Sequence, residues 1–246
     1  MLYWVESCPA VIYSQYKFYR RRCYDMKKVL AFDVYGTLIN PHGIVTQLEA
    51  YVGKEAALFS ETWRQKQLEY SFRRGLMRRY EDFTMCTSNA LDYTCEFLNF
   101  ALTNNQKQLL LQSYLKLPAF SDVTQGLEML KDKFHLYAFS NGSSKAVDEL
   151  LCFAGIRHFF KDIISTDELK SFKPNPDVYH HLLERTGSSV TNTWLISSNS
   201  FDVIGAISIG LQAAWIKRSK DAVFDPWGIK PTLVSPSLTD LALNIS

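Results

Sequence analysis

The chain reads as an α/β protein, with a parallel-sheet core interrupted by an inserted helical cap domain. Three observations carry that reading: short apolar runs that each end in a polar loop, helical stretches with recognisable ends between them, and one interval of about a hundred residues without a comparable strand.

The first run, KVLAFD (Lys28 to Asp33), is continuous in apolar residues, as a strand covered on both faces requires, and Gly36-Thr37 follows as a turn signal. HLYAF (His135 to Phe139), DIIS (Asp162 to Ser165), TWLISS (Thr193 to Ser198) and QAAWI (Gln212 to Ile216) repeat the pattern. Between them, SSKAVDELLCFA stops before Gly155 and DVIGAISI before Gly210. PDVYHHLLERT has Asn175 as its cap, Pro176 at its first position and Gly187 at its end. Strand and helix in alternation build right-handed βαβ units, so the core is expected to be Rossmann-like. Within the long interval, Glu55 to Arg74 form one helical pattern and Asp82 caps the stretch to Asn99. Thr103 with Gln106 fits a capping box ahead of LLLQSYL, which Pro118 stops. The core domain is therefore expected over residues 26–40 and 119–246, and the cap over 41–118.

Residues 1–25 differ in style. They are crowded with Tyr3, Trp4, Tyr13, Tyr16, Phe18, Tyr19 and Tyr24, and they end near Arg20, Arg21 and Arg22. A secretory signal places its basic residues before the apolar run, the reverse of this order. Met26 ahead of KKVLAFD looks like the natural start, so residues 1–25 are expected to be an atypical extension, disordered or upstream of the true start, the alternative being an aromatic and basic arm that docks on a partner.

Among the 246 residues, 27 Lys and Arg balance 25 Asp and Glu, which excludes a dedicated nucleic-acid binder and a polybasic membrane-surface protein. No run approaches the roughly 18 apolar residues of a membrane span. The five cysteines (Cys8, Cys23, Cys86, Cys95 and Cys152) show no CxxC or framework spacing, so a reducing cytoplasm is the expected location. Cys86, Cys95 and Cys152 are expected as small buried apolar residues. His180 and His181 lack HExxH spacing and a Cys partner, which assigns them to a helix surface and its packing rather than to a metal.

The chemistry lies where strands end. In an open parallel sheet ligands bind beyond the carboxyl ends of the strands, so Asp33, Ser140 and the Ser197 to Asp202 loop are expected to converge on one crevice under the cap. Asp33 stands at a sharp strand-to-loop turn, where a carboxylate can act as a nucleophile. Ser140-Asn141-Gly142 precede a helix whose first amides favour an anion. Lys173 precedes Pro174, and SSNSFD carries Asp202 at a helix start. On the long cap helix, Arg64 and Leu68 share a face at i, i+4, with Gln65 in the same turn.

The order DVYGT, FSNGS, KSFKPNPDVY and SSNSFD, together with WRQKQLEYSFRRGLM (Trp63 to Met77) and RYEDF (Arg79 to Phe83), resembles the haloacid dehalogenase superfamily, and within it the (S)-2-haloacid dehalogenases. The resemblance runs from Met26 to the C-terminus. Phosphatases of the superfamily carry an acid/base Asp, close to a Mg²⁺ site, where this chain has Tyr35. The resemblance therefore implies hydrolysis without metal or cofactor.

What it further implies is specific. Asp33 displaces halide from C2 of a small 2-haloalkanoic acid with inversion, forming an ester on its own side chain, while the halide departs toward Arg64, Asn141 and Phe201. Ser140, Lys173 and backbone amides from Val34 onward receive the substrate carboxylate. Thr37 and Asn199 orient Asp33, Ser197 and Tyr179 complete the hydrogen-bonded surroundings, and Asp202, positioned by Lys173, activates the water that opens the ester. Tyr35, Leu68 and Phe83 shape the alkyl pocket, and Gln65 is expected among the substrate-binding residues. Phe201 stands where relatives often carry Trp, a departure that bears on the halide cradle and substrate size. The cap aromatics Tyr70, Phe72, Tyr93 and Phe97 are expected between helices, some of them at a homodimer interface. Alternatives are ring opening of azetidine-2-carboxylate by the same ester route, a Mg²⁺-dependent phosphatase, and a non-catalytic binding protein, which would be expected to have lost Asp33, Lys173 or Asp202.

Overall fold

The computed structural model describes residues 27–245, so the expectation for residues 1–25 lies outside the described residues. Strands β1 (Val29–Asp33), β2 (His135–Ser140), β3 (Asp162–Ser165), β4 (Thr193–Ser197), β5 (Gln212–Ile216) and β6 (Leu233–Ser235) form one sheet in the order β3-β2-β1-β4-β5-β6. All neighbours pair in parallel. Every residue of β1 is buried, which explains its unbroken apolar run.

Side chains of β1 alternate between two cores. Leu30 and Phe32 join one apolar cluster, while Ala31 joins another with Phe139, Val178, Leu182, Val203 and Trp215. Helices α7 (Pro176–Thr186) and α8 (Ser200–Ser208) cover the Ala31 face. Helices α5 (Val123–Leu130), α6 (Ser144–Phe153) and α9 (Leu238–Asn244) contribute to the Leu30 and Phe32 cluster, giving three layers. Asn175 caps α7 by accepting from Asp177 N, Pro176 is its first residue, and Gly187 ends it at φ 62°.

Between β1 and α5 the chain builds α1 (Val45–Val52), α2 (Ala56–Met77), α3 (Phe83–Phe97) and α4 (Asn104–Tyr114). Asp82 caps α3 through Met85 N, and Thr103 with Gln106 forms a complete capping box on α4. Phe59, Trp63, Gln67 and Ser71, spaced at i, i+4, make the buried row of α2, and Trp63 Nε1 donates to Thr87 O of α3 at 2.9 Å. The chain leaves and re-enters the core side by side. Ile39 bridges antiparallel to Ala119, Asn40 N donates to Pro118 O at 2.9 Å and Phe120 N to Leu38 O at 3.0 Å.

Cys86 and Cys95 are buried, but Cys152 is exposed, contrary to expectation. On α6 the core-facing positions are Val147, Leu150 and Leu151, and the next residue turns outward. His181 lies on the outer side of α7, paired with Glu168 at 2.9 Å. No helix among the described residues is long and apolar enough to cross a membrane.

Candidate active site

Asp33, Ser140 and Ser197 are the last residues of β1, β2 and β4, and pairing of Asp33 with Phe139 and of Phe32 with Ile196 sets them side by side at one sheet edge. The turn after Asp33 closes tightly. Val34 O accepts from the amides of Thr37, Leu38 and Ile39, and Gly36 takes φ 89°, a conformation an L side chain rarely adopts. The Val34 side chain is buried in the core and lines no cleft.

Asp33 is 7% exposed. Its two oxygens are held unequally. Oδ2 accepts from Thr37 Oγ1 at 2.7 Å and from Asn199 Nδ2 at 2.8 Å, whereas Oδ1 accepts from Lys173 Nζ at 3.1 Å. Thr37 Oγ1 also accepts from Ser198 N at 2.8 Å, and Ser198 Oγ donates to Gly36 O at 2.7 Å, so the threonine proton is directed to Asp33. Ser197 Oγ accepts from Asn199 N at 3.1 Å, setting the loop that carries Asn199.

Lys173 is buried and makes three bonds, to Asp33 Oδ1, to Phe139 O at 2.8 Å and to Asp202 Oδ2 at 2.9 Å. An ammonium has three N–H donors, so none is left over for a substrate carboxylate. Lys173 therefore supplies charge and bridges two acids, which revises the direct contact expected from sequence. Asp202 is fully buried, and Tyr179 O–H donates to its Oδ1 at 2.9 Å. Burial pushes the Asp202 carboxyl above its usual range, Lys173 opposes, and the charge of Asp33 adds to the rise. Burial beside Asp202 raises the Tyr179 phenol well above its ordinary value, which keeps it a proton donor. Tyr179 reaches this place because α7 and α8 touch at Gly205, where a Cβ would stand 2.5 Å from Tyr179 Oη and 2.7 Å from Pro174 Cβ.

Ser140 Oγ accepts from Gly142 N at 3.1 Å, leaving its own O–H uncommitted. Asn141 Oδ1 accepts from Lys173 N at 2.9 Å and Thr166 Oγ1 at 3.2 Å, and its Nδ2 has no acceptor among the described residues. On α2, Arg64 Nη2 donates to Tyr35 O at 3.2 Å and Nη1 to Gln67 Oε1 at 2.6 Å. Gln65 does not join it. One residue further along, it turns to the exposed side and donates to Glu61 Oε1 at 2.6 Å, because successive helical residues point about 100° apart. The buried glutamine is Gln67, which also accepts from Tyr114 O–H at 3.3 Å and donates to Thr87 Oγ1 at 2.5 Å.

Tyr35 is buried between Tyr114 and Phe83, with ring centroids 5.9 Å from each, and Phe83 continues to Phe172 at 6.4 Å. Burial raises the Tyr35 phenol above its ordinary pKa, so no acid stands there. Leu68 is half-buried on the Arg64 side of α2, and Phe201 meets Phe72 edge-on at 4.9 Å. Beside them opens a cleft of about 700 Å³ lined by Phe72, Phe172, Lys173, Phe201 and Trp227 among others. No group of three or more His, Cys, Asp or Glu side chains converges among the described residues.

Gln67, Thr87 and Tyr114 belong to this arrangement but were not singled out by the sequence, which placed Ser198 only as part of the Ser197 to Asp202 loop. The periodicity of α2 could have indicated Gln67, three residues from Arg64 and in register with Phe59, Trp63 and Ser71.

The haloacid dehalogenase-like hydrolase family model matches residues 27–210. The (S)-2-haloacid dehalogenase of Pseudomonas sp. strain YL is 37% identical over 209 residues, 84% of this chain and 89% of that protein. The haloacetate dehalogenase H-2 of Moraxella sp. strain B is 36% identical over 214 residues, 86% of this chain and 95% of that protein. The structure is also similar to the L-2-haloacid dehalogenase of Xanthobacter autotrophicus with chloropropionic acid covalently bound, with a TM-score of 0.82 and 29% identity over 89% of this chain and 100% of that one.

Proposed function

The chain belongs to the haloacid dehalogenase-like hydrolases, and from that membership we propose that it hydrolyses short (S)-2-haloacids to (R)-2-hydroxyacids and halide. The carrying observation is the unequal hold on Asp33. Oδ1, with one hydrogen bond, keeps a lone pair for attack, while Oδ2 faces two donors.

Asp33 Oδ1 displaces the halogen from the rear of C2. The C2–O bond forms as the carbon–halogen bond breaks, and a buried, aligned nucleophile supplies the proximity such a displacement needs. The halide leaves toward Arg64, the free Nδ2 of Asn141 and the edge of Phe201, and halide needs no proton. Ser140 O–H and the amides after Asp33 receive the substrate carboxylate, with Lys173 adding positive charge nearby. Tyr35, Leu68 and Phe83 bound the alkyl group, and residues 41–118 act as the cap that encloses it.

In the resulting ester Oδ2 is the carbonyl oxygen. Thr37 Oγ1 and Asn199 Nδ2 then stand where negative charge develops when water attacks, as oxyanion donors do. Asp202 takes the proton from that water and returns it to the departing alkoxide, held for the task by Lys173 and Tyr179. Asp33 is regenerated with one oxygen from water. Tyr35 in place of an acid favours a leaving group that requires no protonation.

A cytoplasmic homodimer completes the proposal. Phe97 is 60% exposed and stacks on Tyr93 at 5.6 Å, forming an aromatic face that a second copy would cover.

The test is incubation with racemic 2-chloropropanoate in excess EDTA. Chloride release that stops at half conversion, with (R)-lactate formed and (R)-substrate left, is expected. Absence of chloride from folded protein would overturn the reading.

A further inference from the structure

Arg218 lies two residues beyond the end of β5, two strands away from β1 in the sheet. Its side chain nevertheless returns to the nucleophile turn. Nη2 donates to Thr37 O at 2.6 Å, Nη1 donates to Asp122 Oδ1 at 2.7 Å, and the guanidinium carbon lies 4.3 Å from the Phe120 ring centroid. Asp122 is anchored in turn, its Oδ2 accepting from Leu238 N at 2.6 Å. The arginine is thus fixed on one side and grips the Thr37 peptide on the other.

The Thr37 hydroxyl accepts from Ser198 N and donates to Asp33 Oδ2 at 2.7 Å, with Ser198 Oγ a more distant partner at 3.3 Å. The turn holds the Thr37–Leu38 peptide from its amide side, Leu38 N donating to Val34 O as Thr37 N also does, and the bond from Arg218 holds the same peptide by its carbonyl. A second residue of the same segment does parallel work, since Trp215 Nε1 donates to Ser198 O at 2.9 Å. The end of β5 therefore braces both residues that set the threonine proton.

We infer that Arg218 is a positioning residue for the reaction, acting through the Thr37 peptide to aim the Thr37 hydroxyl at Asp33 Oδ2. The inference rests on the proposed ester route, in which that oxygen becomes the carbonyl oxygen of the intermediate. Arg218 touches neither substrate nor Asp33. Its loss should slow turnover, and ester hydrolysis above all, because misalignment of an oxyanion donor is felt most when charge develops.

The experiment is a double-mutant cycle of Arg218→Gln with Thr37→Val, read as kcat and KM for (S)-2-chloropropanoate and as the steady-state fraction of Asp33 ester by mass spectrometry. In the wild-type background Arg218→Gln is expected to lower kcat about tenfold or more with KM changed less than about threefold, and to raise the ester fraction. In the Thr37→Val background the same substitution should lower kcat by less than about threefold, because the group it aims is gone. Arg218→Lys, which keeps one donor for Thr37 O, should recover part of the loss.

Equal fold-losses in both backgrounds would overturn the inference and reduce Arg218 to a structural staple. So would a Lys variant as slow as the Gln variant. Should Arg218→Gln fail to fold, Arg218→Lys carries the same cycle. Chloride release by the wild-type chain tests the proposed function alone, and the ratio of the two Arg218 effects tests the positioning role, so the two fail separately.

Discussion

Lys173 Nζ lies 2.9 Å from Asp202 Oδ2, and each of the two side chains is at most 1% exposed. The same ammonium reaches Asp33 Oδ1 at 3.1 Å, so two buried carboxylates share one cation. Replacing it by Met should cost about 3–5 kcal/mol of stability, since uncompensated buried charge is left behind. Urea unfolding checks this, and turnover should fall by at least about 10²-fold. Near-normal stability would mean that the acids pair differently.

Asp202→Asn separates the two half-reactions. In the proposed route displacement of halide does not call on Asp202, whereas ester hydrolysis does, so a covalent adduct on Asp33 should accumulate in mass spectra. In single-turnover reaction of wild-type protein in ¹⁸O-water, label should enter Asp33 before product. Loss of activity without adduct would move Asp202 to the first step.

The raised carboxyl of Asp202 has two signs to test. In its proposed role as base it must be ionised, so kcat should fall on the acid side as pH drops through a pKa above the ordinary carboxylate range. For stability, the folded state holds this proton more tightly than the unfolded chain. The contribution of Asp202 is therefore greatest below its unfolded pKa and is lost as pH rises through the folded one. Comparing Tm of wild type and Asp202→Asn across that window, the variant should gain relative to wild type as pH increases.

Gln67 holds Arg64 from beneath, at 2.6 Å. Gln67→Leu keeps the volume and removes the acceptor, leaving Tyr114 and Thr87 with a lost partner each. A loss of about tenfold or more in kcat/KM is expected, larger than for Gln65→Leu on the outer face. The reverse ranking would mean that α2 presents a different face during turnover.

Phe97→Asp probes the proposed dimer. A charge on the exposed aromatic face should shift the molecular mass by light scattering from twice to once that of the chain, with secondary structure retained. An unshifted mass would place any interface elsewhere.

The sequence made the core legible because each strand residue answers to a local rule. KVLAFD is apolar throughout because both faces of β1 are covered, and Asn175, Pro176 and Gly187 mark a helix whose ends the structure places where they fall. What escaped were elements held mainly by tertiary contact. β6 is three residues at the sheet edge, and α5 lacks a side-chain cap bond to announce it. At the site, residues at strand ends could be named from topology, but the choice between Gln65 and Gln67 depends on the rotation of α2, which is weakly amphipathic overall and is marked only by the register of Gln67 with Phe59 and Trp63. Arg218 was invisible for a different reason. Its partners, Thr37 and Asp122, lie 181 and 96 positions away, and nothing local to WIKRS records them.

The paired linkers have a consequence for chain connectivity. Because Ile39 faces Ala119 across an antiparallel bridge, the ends of the helical insertion are neighbours, separated by the roughly 5 Å typical of such a pair. A two-residue turn could join them directly, since tight hairpins close gaps of that size. Such a shortened chain would keep every strand in its present order, and the same two positions would serve as splice points for exchanging the insertion with one of another size.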